Sequence, residues 1–373
     1  MSSSEEGLRE MVKVFKKYLL QKKLDLNTVK SKIMIMKDRR SKKTKLNKDI
    51  LWNNEKIEVV DKFNYLGYLI TNNNKDDEHV KNQSAKAKAL LGRIWGKGQR
   101  LLCNEWKERW KLYNLMIRSI AFYGVEIWGW KKFECLEAIQ KKYIKWVLML
   151  DKNTPDYIVR RETKTTKIIN ETRRRAAIYE EKITKLNEGD LRLKIFKRKY
   201  LCNEKSRYVE EKIKSLNEIG VNCEKIDEWL RNGLIVSEKI KEEGILATKD
   251  EDMKSIAESR YINGIKIAEG LIEEWRKDEL PQYLDKAYNI QNIARYRTGC
   301  VFKSSKFWRN REERKCRLCK LEEESASHLF EECVNNPIKC ELRKVLNEDG
   351  KGLSFILGMN WRLKRHKDKE DTQ

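Results

Sequence analysis

Four residues near the C-terminus, Cys316, Cys319, His328 and Cys333, have the types and spacing of a metal clip. Cys316-x2-Cys319 lets one tight turn present two thiolates to one ion. His328 and Cys333, with four residues between them, can complete a tetrahedron from a helix or a short turn. Soft thiolates plus one imidazole in four-coordinate geometry suit zinc, and a closed site of this kind is structural rather than catalytic. Such a small module folds with its metal. The chain has only three histidines, so chance rarely places one in this frame. Cys300 and Cys340 are possible substitutes for one ligand, while His79 and His366 stand alone and are expected at the surface. No secretory start is read, so reduced thiols are expected. Cys103, Cys135, Cys202 and Cys223 sit singly in apolar or helical surroundings and read as small buried hydrophobes.

The stretch before the clip, "ARYRTGCVFKSSKFWRNREERK", interleaves cations with Tyr296, Phe302, Phe307 and Trp308. Lys303, Arg309, Arg314 and Lys315 are candidates to track phosphates, and the rings are candidates to stack on bases. The bland alternative is a core-packed connector with a solvated face. The basic run abuts the finger, which favours the first reading, and charge over the whole chain points the same way. Lys and Arg number 82 against 58 Asp and Glu, a net charge of +24 over 373 residues. A chain this basic repels itself unless a polyanion neutralises it, and nucleic acid fits better than an anionic membrane. No apolar run of membrane length occurs, so a location inside the cell, nuclear or cytoplasmic, is expected.

The elements that must position these residues are mostly helices. Only three prolines interrupt a chain rich in Lys, Glu and Leu. Residues 3–23 read as a helix opened by a Ser3–Glu6 capping box, with Leu8, Met11, Val12, Phe15, Tyr18 and Leu19 on one face. "KSKIMIMK" reads as a strand, "DILW" and "KIEVV" as a hairpin about Asn53-Asn54, and "FNYLGYLIT" as a further strand. Asp76 and Asp77 read as cap and first-turn acids of a helix reaching about residue 102. Trp106, Trp110, Tyr113, Ile117 and Ile120 share a helical face and read as core. "TPDY" at 154–157 breaks the chain. Between about 165 and 275 the spacing predicts four or five polar helices, punctuated at 187–189, Gly220 and Gly233. Asn336-Pro337 reads as the start of a late helix, and the last dozen residues as a disordered tail. The expected fold is mainly α with a small N-terminal α/β part and a small C-terminal zinc-binding module. Its expected divisions are 1–72, 73–165, 166–290 and 291–360, with a tail at 361–373.

Taken in order along the chain, these segments resemble the C-terminal part of a reverse transcriptase from a non-LTR (LINE-type, jockey-like) retrotransposon. "LDLNTVKSKIM" is similar to the end of that family's palm, with Asn27, Lys30, Ser31 and Lys32 at matching places. "FNYLG" resembles its primer-grip hairpin. "SAKAKALLGRIWG", "LYNLMIRSIAFYGVEIWGW" and "YIKWVLMLDKNTPDYIVRRE" resemble its thumb and the segment that follows. "ESRY", "ARYRTG" and the finger resemble its C-terminal domain, with a finger spacing unlike that of the retroviral knuckle. The resemblance implies that Phe63, Tyr65 and Gly67 help hold the primer end. It places Lys30 near the incoming nucleotide, makes Lys32 a further nucleic-acid-binding candidate, and sets the finger with its basic approach on template RNA, RNA–DNA hybrid or target DNA.

The same resemblance marks a departure. The family's polymerase chemistry needs carboxylates that hold two magnesium ions, among them a Tyr-x-Asp-Asp pair just upstream of the helix that opens this sequence. Asp76-Asp77 leads a helix and does not match that pair. The chain alone is therefore expected not to polymerise, to need no small-molecule substrate, and to require magnesium only as part of a full polymerase. The primer-grip hairpin is expected to be poorly formed, leaving strand edges exposed around residues 30–71. Three readings follow: a non-catalytic nucleic-acid-binding fragment stabilised by zinc, an RNA-directed DNA polymerase whose catalytic palm lies upstream, and a zinc-stabilised protein-interaction module.

Overall fold

The computed structural model describes residues 2–36, 46, 48–102, 105–201, 206–265, 269–286 and 289–370. The fold is mainly α, with small sheets near the N-terminus, and it divides into two units, Met1–Gln83 and Ser84–Gln373.

In the first unit, helix α1 (Glu5–Gln21) is capped by Ser4, whose Oγ accepts from the Gly7 amide at 3.0 Å. The cap lies one residue beyond the expected Ser3–Glu6 box. Glu5 engages Arg9 at 2.7 Å and the Lys48 amide at 3.2 Å. Leu19 packs with Ile50, Trp52 and Ile57, and Leu8, Val12 and Ile33 flank this core. Met11, Phe15 and Tyr18, expected on the same buried face, are exposed.

Among the described residues, six short strands form separate two-stranded sheets. They are β1 (Lys32–Ile33), β2 (Leu51–Trp52), β3 (Glu55–Lys56), β4 (Glu58–Val59), β5 (Lys62–Tyr65) and β6 (Tyr68–Thr71). β2 and β3 pair about Asn53 and Asn54, whose φ angles of 48° and 70° make the primed turn that a twisted hairpin prefers. β1 is shorter than the strand read from "KSKIMIMK" and pairs in parallel with β4. "FNYLGYLIT" is two strands rather than one. Leu66 and Gly67, at φ 48° and 83°, turn the chain, and pairing runs from Lys62↔Thr71 to Tyr65↔Tyr68. The hairpin is thus regular where a poorly formed one was expected, because the Leu66-Gly67 turn and the contacts around His79 hold it. Among the described residues each two-stranded sheet leaves open edges, as expected.

His79 corrects another expectation. It is fully buried; its ring stacks on Tyr68 with centroids 3.9 Å apart, and Nδ1 accepts from the Leu69 amide at 3.1 Å. Tyr68 in turn donates to Asp76 at 2.6 Å. Asp76 also caps helix α2 (Asp77–Leu101), its carbonyl accepting from the Val80 amide. The acid pair therefore sits at a helix start.

The second unit is a stack of helices. α3 (Trp106–Leu112), a π-turn at Tyr113–Ile117, α4 (Arg118–Ala121) and α5 (Val125–Trp128) precede α6 (Glu134–Val147) and α7 (Asp156–Thr163). Trp106, Trp110, Tyr113 and Tyr143 form one stacked column, with successive centroids 5.6, 5.0 and 4.9 Å apart. Thus the aromatic face of α3 is core. Pro155 sits at the N-cap of α7, where "TPDY" breaks the chain.

Next come α8 (Ile168–Thr184), α9 (Leu191–Leu201), α10 (Arg207–Asn217), α11 (Cys223–Arg231), α12 (Val236–Ala257), α13 (Arg260–Ile265) and α14 (Glu269–Arg276). Gly220 and Gly233, at φ 67° and 65°, end α10 and α11 as the sequence suggested. Among the described residues seven helices stand where four or five were expected; one of the unforeseen breaks, between α12 and α13, falls at Glu258-Ser259 without a glycine. α8 packs along α5 and α12. A Cβ on Gly129 would lie 2.4 Å from the Thr172 carbonyl oxygen, and one on Gly244 would lie 2.5 Å from Asn170 Oδ1. At Gly129 the obstacle is backbone, so only glycine permits the approach, whereas at Gly244 the Asn170 side chain would have to move. Cys135 is half-buried and Cys223 exposed, against expectation; Cys103 and Cys202 lie outside the described residues.

α15 (Tyr283–Lys286), α16 (Ile290–Arg297), α17 (Leu342–Val345) and α18 (Leu353–Glu370) complete the unit. Asn336-Pro337 starts no helix. Asn336 is buried, giving its Nδ2 hydrogen to the Leu329 carbonyl at 2.8 Å and accepting from Arg362 at 2.9 Å, so its side chain links the finger to α18. The residues from 361 to 370, expected as a disordered tail, continue α18, because Met359 and Leu363 are buried along it. The boundaries expected at 165 and 290 fall within this unit.

Candidate metal centre and basic approach

Cys316, Cys319, His328 and Cys333 come together, with all candidate ligand atoms within 4.8 Å of one another. Local backbone chemistry explains how. At the first turn, the Leu318 amide donates to Cys316 Sγ at 3.3 Å, and Lys320, at φ 60°, turns the chain after Cys319. Lys315 bridges to Glu323, and the Cys316 amide donates to the Glu322 carbonyl at 2.7 Å, closing the loop. The second pair uses a π-turn, His328–Glu332, in which the Cys333 amide donates to the His328 carbonyl at 2.6 Å. On an α-helix residues five apart point about 140° away from each other, whereas an i→i+5 hydrogen bond brings them round. The unusual turn therefore fits the four-residue gap.

The donor set fits zinc. Cys316 Sγ and Cys333 Sγ are 3.9 Å apart, and Cys319 Sγ and His328 Nε2 are 3.2 Å apart. Four ligands about 2.3 Å from a central ion have mutual spacings of about 3.8 Å. Three of the four side chains, Cys316, His328 and Cys333, are buried, so an ion here would be enclosed. Without metal the thiols diverge. Burial pushes Cys316 up to about 12 and raises Cys333. For Cys319, desolvation is overcome by the amides of Leu321 and Glu322 and by the His328 ring, which lower it to about 7. A divalent cation is what would bring all three to the thiolate form together. His328 Nδ1 faces Glu332 at 4.0 Å, beyond hydrogen-bond reach.

The finger is anchored to what precedes it by Glu324. Its fully buried carboxylate accepts from the Arg317 amide at 2.9 Å and Arg317 Nε at 2.7 Å. Arg317 Nη2 also reaches the Val301 carbonyl at 3.1 Å. Cys340 and Cys300 stand outside the metal cluster.

A larger polar core ties the same region to α7. Glu162 accepts from Arg297 Nε, Tyr283 Oη and Trp275 Nε1, each at 2.6 Å, and all four side chains are buried. Burial alone would raise the Glu162 carboxyl; Arg297 and the two neutral donors hold it below the usual range. Arg297 also donates to the Leu346 carbonyl and pairs with Glu274 at 2.9 Å. Sequence reasoning placed "DYIVRRE" and "ARYRTG" in separate domains and missed that Glu162 and Arg297 join them. No local pattern marked the pair, since each segment carries several charges.

The basic approach divides. Tyr296 and Phe302 are core residues in edge contact at 5.6 Å, whereas Phe307 and Trp308 are exposed. Arg309 is exposed and enters no ion pair among the described residues. Arg314 pairs with Glu323 at 3.1 Å and Lys315 with Glu312 at 2.8 Å. Lys303 donates to the Lys315 carbonyl at 3.2 Å, and burial lowers its pKa.

In the first unit, Lys30 is exposed in a turn closed by Asn27, whose Oδ1 accepts from the Lys30 amide at 2.9 Å. Lys32 pairs across the strands with Glu58 at 2.6 Å. Phe63 is half-buried, and Tyr65 and Gly67 are exposed on the β5–β6 hairpin, a different sheet from that of Lys32. Among the described residues no helix is long and apolar enough to cross a membrane. No protein-family model, curated protein or solved structure matches the chain, so the reading of these sites rests on their own geometry and chemistry.

Proposed function

We propose that the chain is a non-catalytic, nucleic-acid-binding part of a LINE-type retrotransposon reverse transcriptase, with its C-terminal finger stabilised by zinc. One observation carries the reading: a basic, aromatic loop lies directly before a Cys3His cluster in a chain of net charge +24. The ion would be held by Cys316, Cys319, His328 and Cys333. It would supply folding energy by crosslinking the two turns, and no open position is needed for that role. Arg309, Phe307 and Trp308 would meet RNA, an RNA–DNA hybrid or target DNA. Arg314, Lys315 and Lys303 would contribute field more than direct contacts, since each already has a partner. Surface ion pairs are weak, so a phosphate can compete for them.

The test is salt-dependent binding of the zinc-loaded chain to single-stranded RNA. Neutralising roughly six to ten phosphates gives a log–log slope of about −4 to −7 on a single strand. Arg309→Ala with Arg314→Ala and Lys315→Ala should weaken binding and leave zinc content unchanged. Binding that ignores salt, or a dissociation constant unmoved by the triple change, counts against the reading. A second reading keeps the same residues as support for an RNA-directed DNA polymerase whose carboxylates another segment supplies. The open-edged sheets of the first unit favour it, since a hairpin alone is marginal and gains by pairing. Magnesium would belong only to that assembled polymerase.

A further inference from the structure

A second cationic, aromatic feature lies away from the finger in sequence. α6 and the loop after it form a groove of about 590 Å³ lined by Lys141, Lys142, Lys145, Trp146, Leu150 and Lys152, with Asp156 at its side. Asp156 pairs with Lys141 at 2.8 Å and with Lys145 at 2.9 Å. One carboxylate thus answers two lysines. Lys142 and Lys152 are exposed and enter no ion pair among the described residues. Lys142 Nζ lies 4.3 Å from the Trp146 ring centroid, and Trp95 braces that indole edge-on at 5.8 Å. A fixed, half-exposed indole flanked by unpaired ammonium groups has the make-up of a stacking platform for a strand with a charged backbone.

The groove also adjoins the loop before the finger. Asp151, on the groove's loop, lies 3.9 Å from Lys306, the residue before Phe307 and Trp308. The Asp151–Lys306 contact thus brings the loop that carries Lys152 beside the loop that carries Phe307, Trp308 and Arg309.

We propose that the α6 groove binds the same single-stranded nucleic acid as the finger's basic loop, its lysines taking phosphates and Trp146 an unpaired base. The inference rests on the nucleic-acid reading above and extends it to a second contact on one continuous path. A single strand is the better occupant because half-exposed rings can stack only on bases that are not already paired.

The test uses the full zinc-loaded chain and fluorescein-labelled single-stranded RNA of about 24 nucleotides, long enough to span more than one contact. Lys142→Gln with Lys152→Gln removes the two unpaired cations. Each phosphate contact on a single strand contributes about 0.7 to the log–log salt slope, so the slope should become shallower by about 1.4. At 0.1 M salt that corresponds to roughly 10- to 30-fold weaker binding. The unfolding midpoint should move little, because both side chains are exposed and only the contact of Lys142 with the Trp146 ring is lost. Unchanged affinity and slope in this variant, with Arg309→Ala still weakening binding, would overturn the groove while leaving the finger reading intact. An equal loss of affinity for fully duplex RNA would overturn the single-strand assignment. No RNA binding by the unaltered chain at low salt would remove the underlying reading itself.

Discussion

Replacing Glu162 should be the most damaging single change in the second unit. Glu162→Ala leaves the Arg297 guanidinium buried without its main counter-charge and strips acceptors from Tyr283 and Trp275, each 2.6 Å away. Removing one partner of a buried pair typically costs about 3–5 kcal/mol, because the other charge stays desolvated. Glu274, at 2.9 Å from Arg297, limits the loss by keeping one carboxylate nearby. Glu162→Gln, which keeps shape and one acceptor, should therefore cost less, about 1–3 kcal/mol. Against a typical total of about 5–15 kcal/mol, the alanine change removes a large share of the stability. At about 2 °C per kcal/mol for a unit this large, its midpoint should fall by roughly 6–10 °C. Thermal and urea unfolding of the full chain measure this. The pH dependence adds an independent reading. The Glu162 carboxyl is held below its ordinary range when folded, so its stabilisation is present above the unfolded value of about 4.3 and is lost as pH falls through the folded one. The unaltered chain should lose stability steeply below roughly pH 4, and Glu162→Gln should flatten that loss. A cost under about 1 kcal/mol for Glu162→Ala would refute the claim that this network joins α7 to the C-terminal region.

Cys319→Ser should open the finger while sparing α3 to α8, so that protease cuts appear between 300 and 340 alone; identical cleavage with and without chelator would sink that expectation. Gly129→Ala should destabilise the second unit by about 1–3 kcal/mol, because its new methyl meets the Thr172 and Val125 carbonyl oxygens, and denaturant midpoints will report it. His79→Ala should loosen the β5–β6 hairpin, removing the ring stacked on Tyr68 and the acceptor for the Leu69 amide, with faster amide exchange at Phe63 and Ile70 as the readout.

Much of this was legible from residue types. Cysteine spacing singled out the four residues that come together as a candidate metal site, because the chain has only three histidines and the order of the four leaves few ways to close a tetrahedron. Asn53-Asn54 announced its turn because two adjacent positive φ angles suit few residues. Gly220 and Gly233 marked helix ends for the same reason. What stayed hidden depends on distant partners. His79 looked solitary because Tyr68 and Leu69 become its neighbours only once the hairpin folds back. Tyr296 and Phe302 looked like base-stacking rings, yet they face each other in the core, since a run of mixed cations and aromatics does not say which side is inside. The Glu162–Arg297 pair spans 135 residues, and no local pattern encodes it. Asn336 passed for a helix cap because Asn before Pro suits both a cap and a buried loop anchor, and only the positions of Leu329 and Arg362 decide.

The most direct test of the account is X-ray absorption at the zinc edge, with metal content, on the full chain purified without chelator. One zinc per chain is expected, with three sulfur neighbours at about 2.3 Å and one nitrogen at about 2.0–2.1 Å. A chain that retains no metal, or a zinc bound mainly by oxygen or nitrogen, would contradict it.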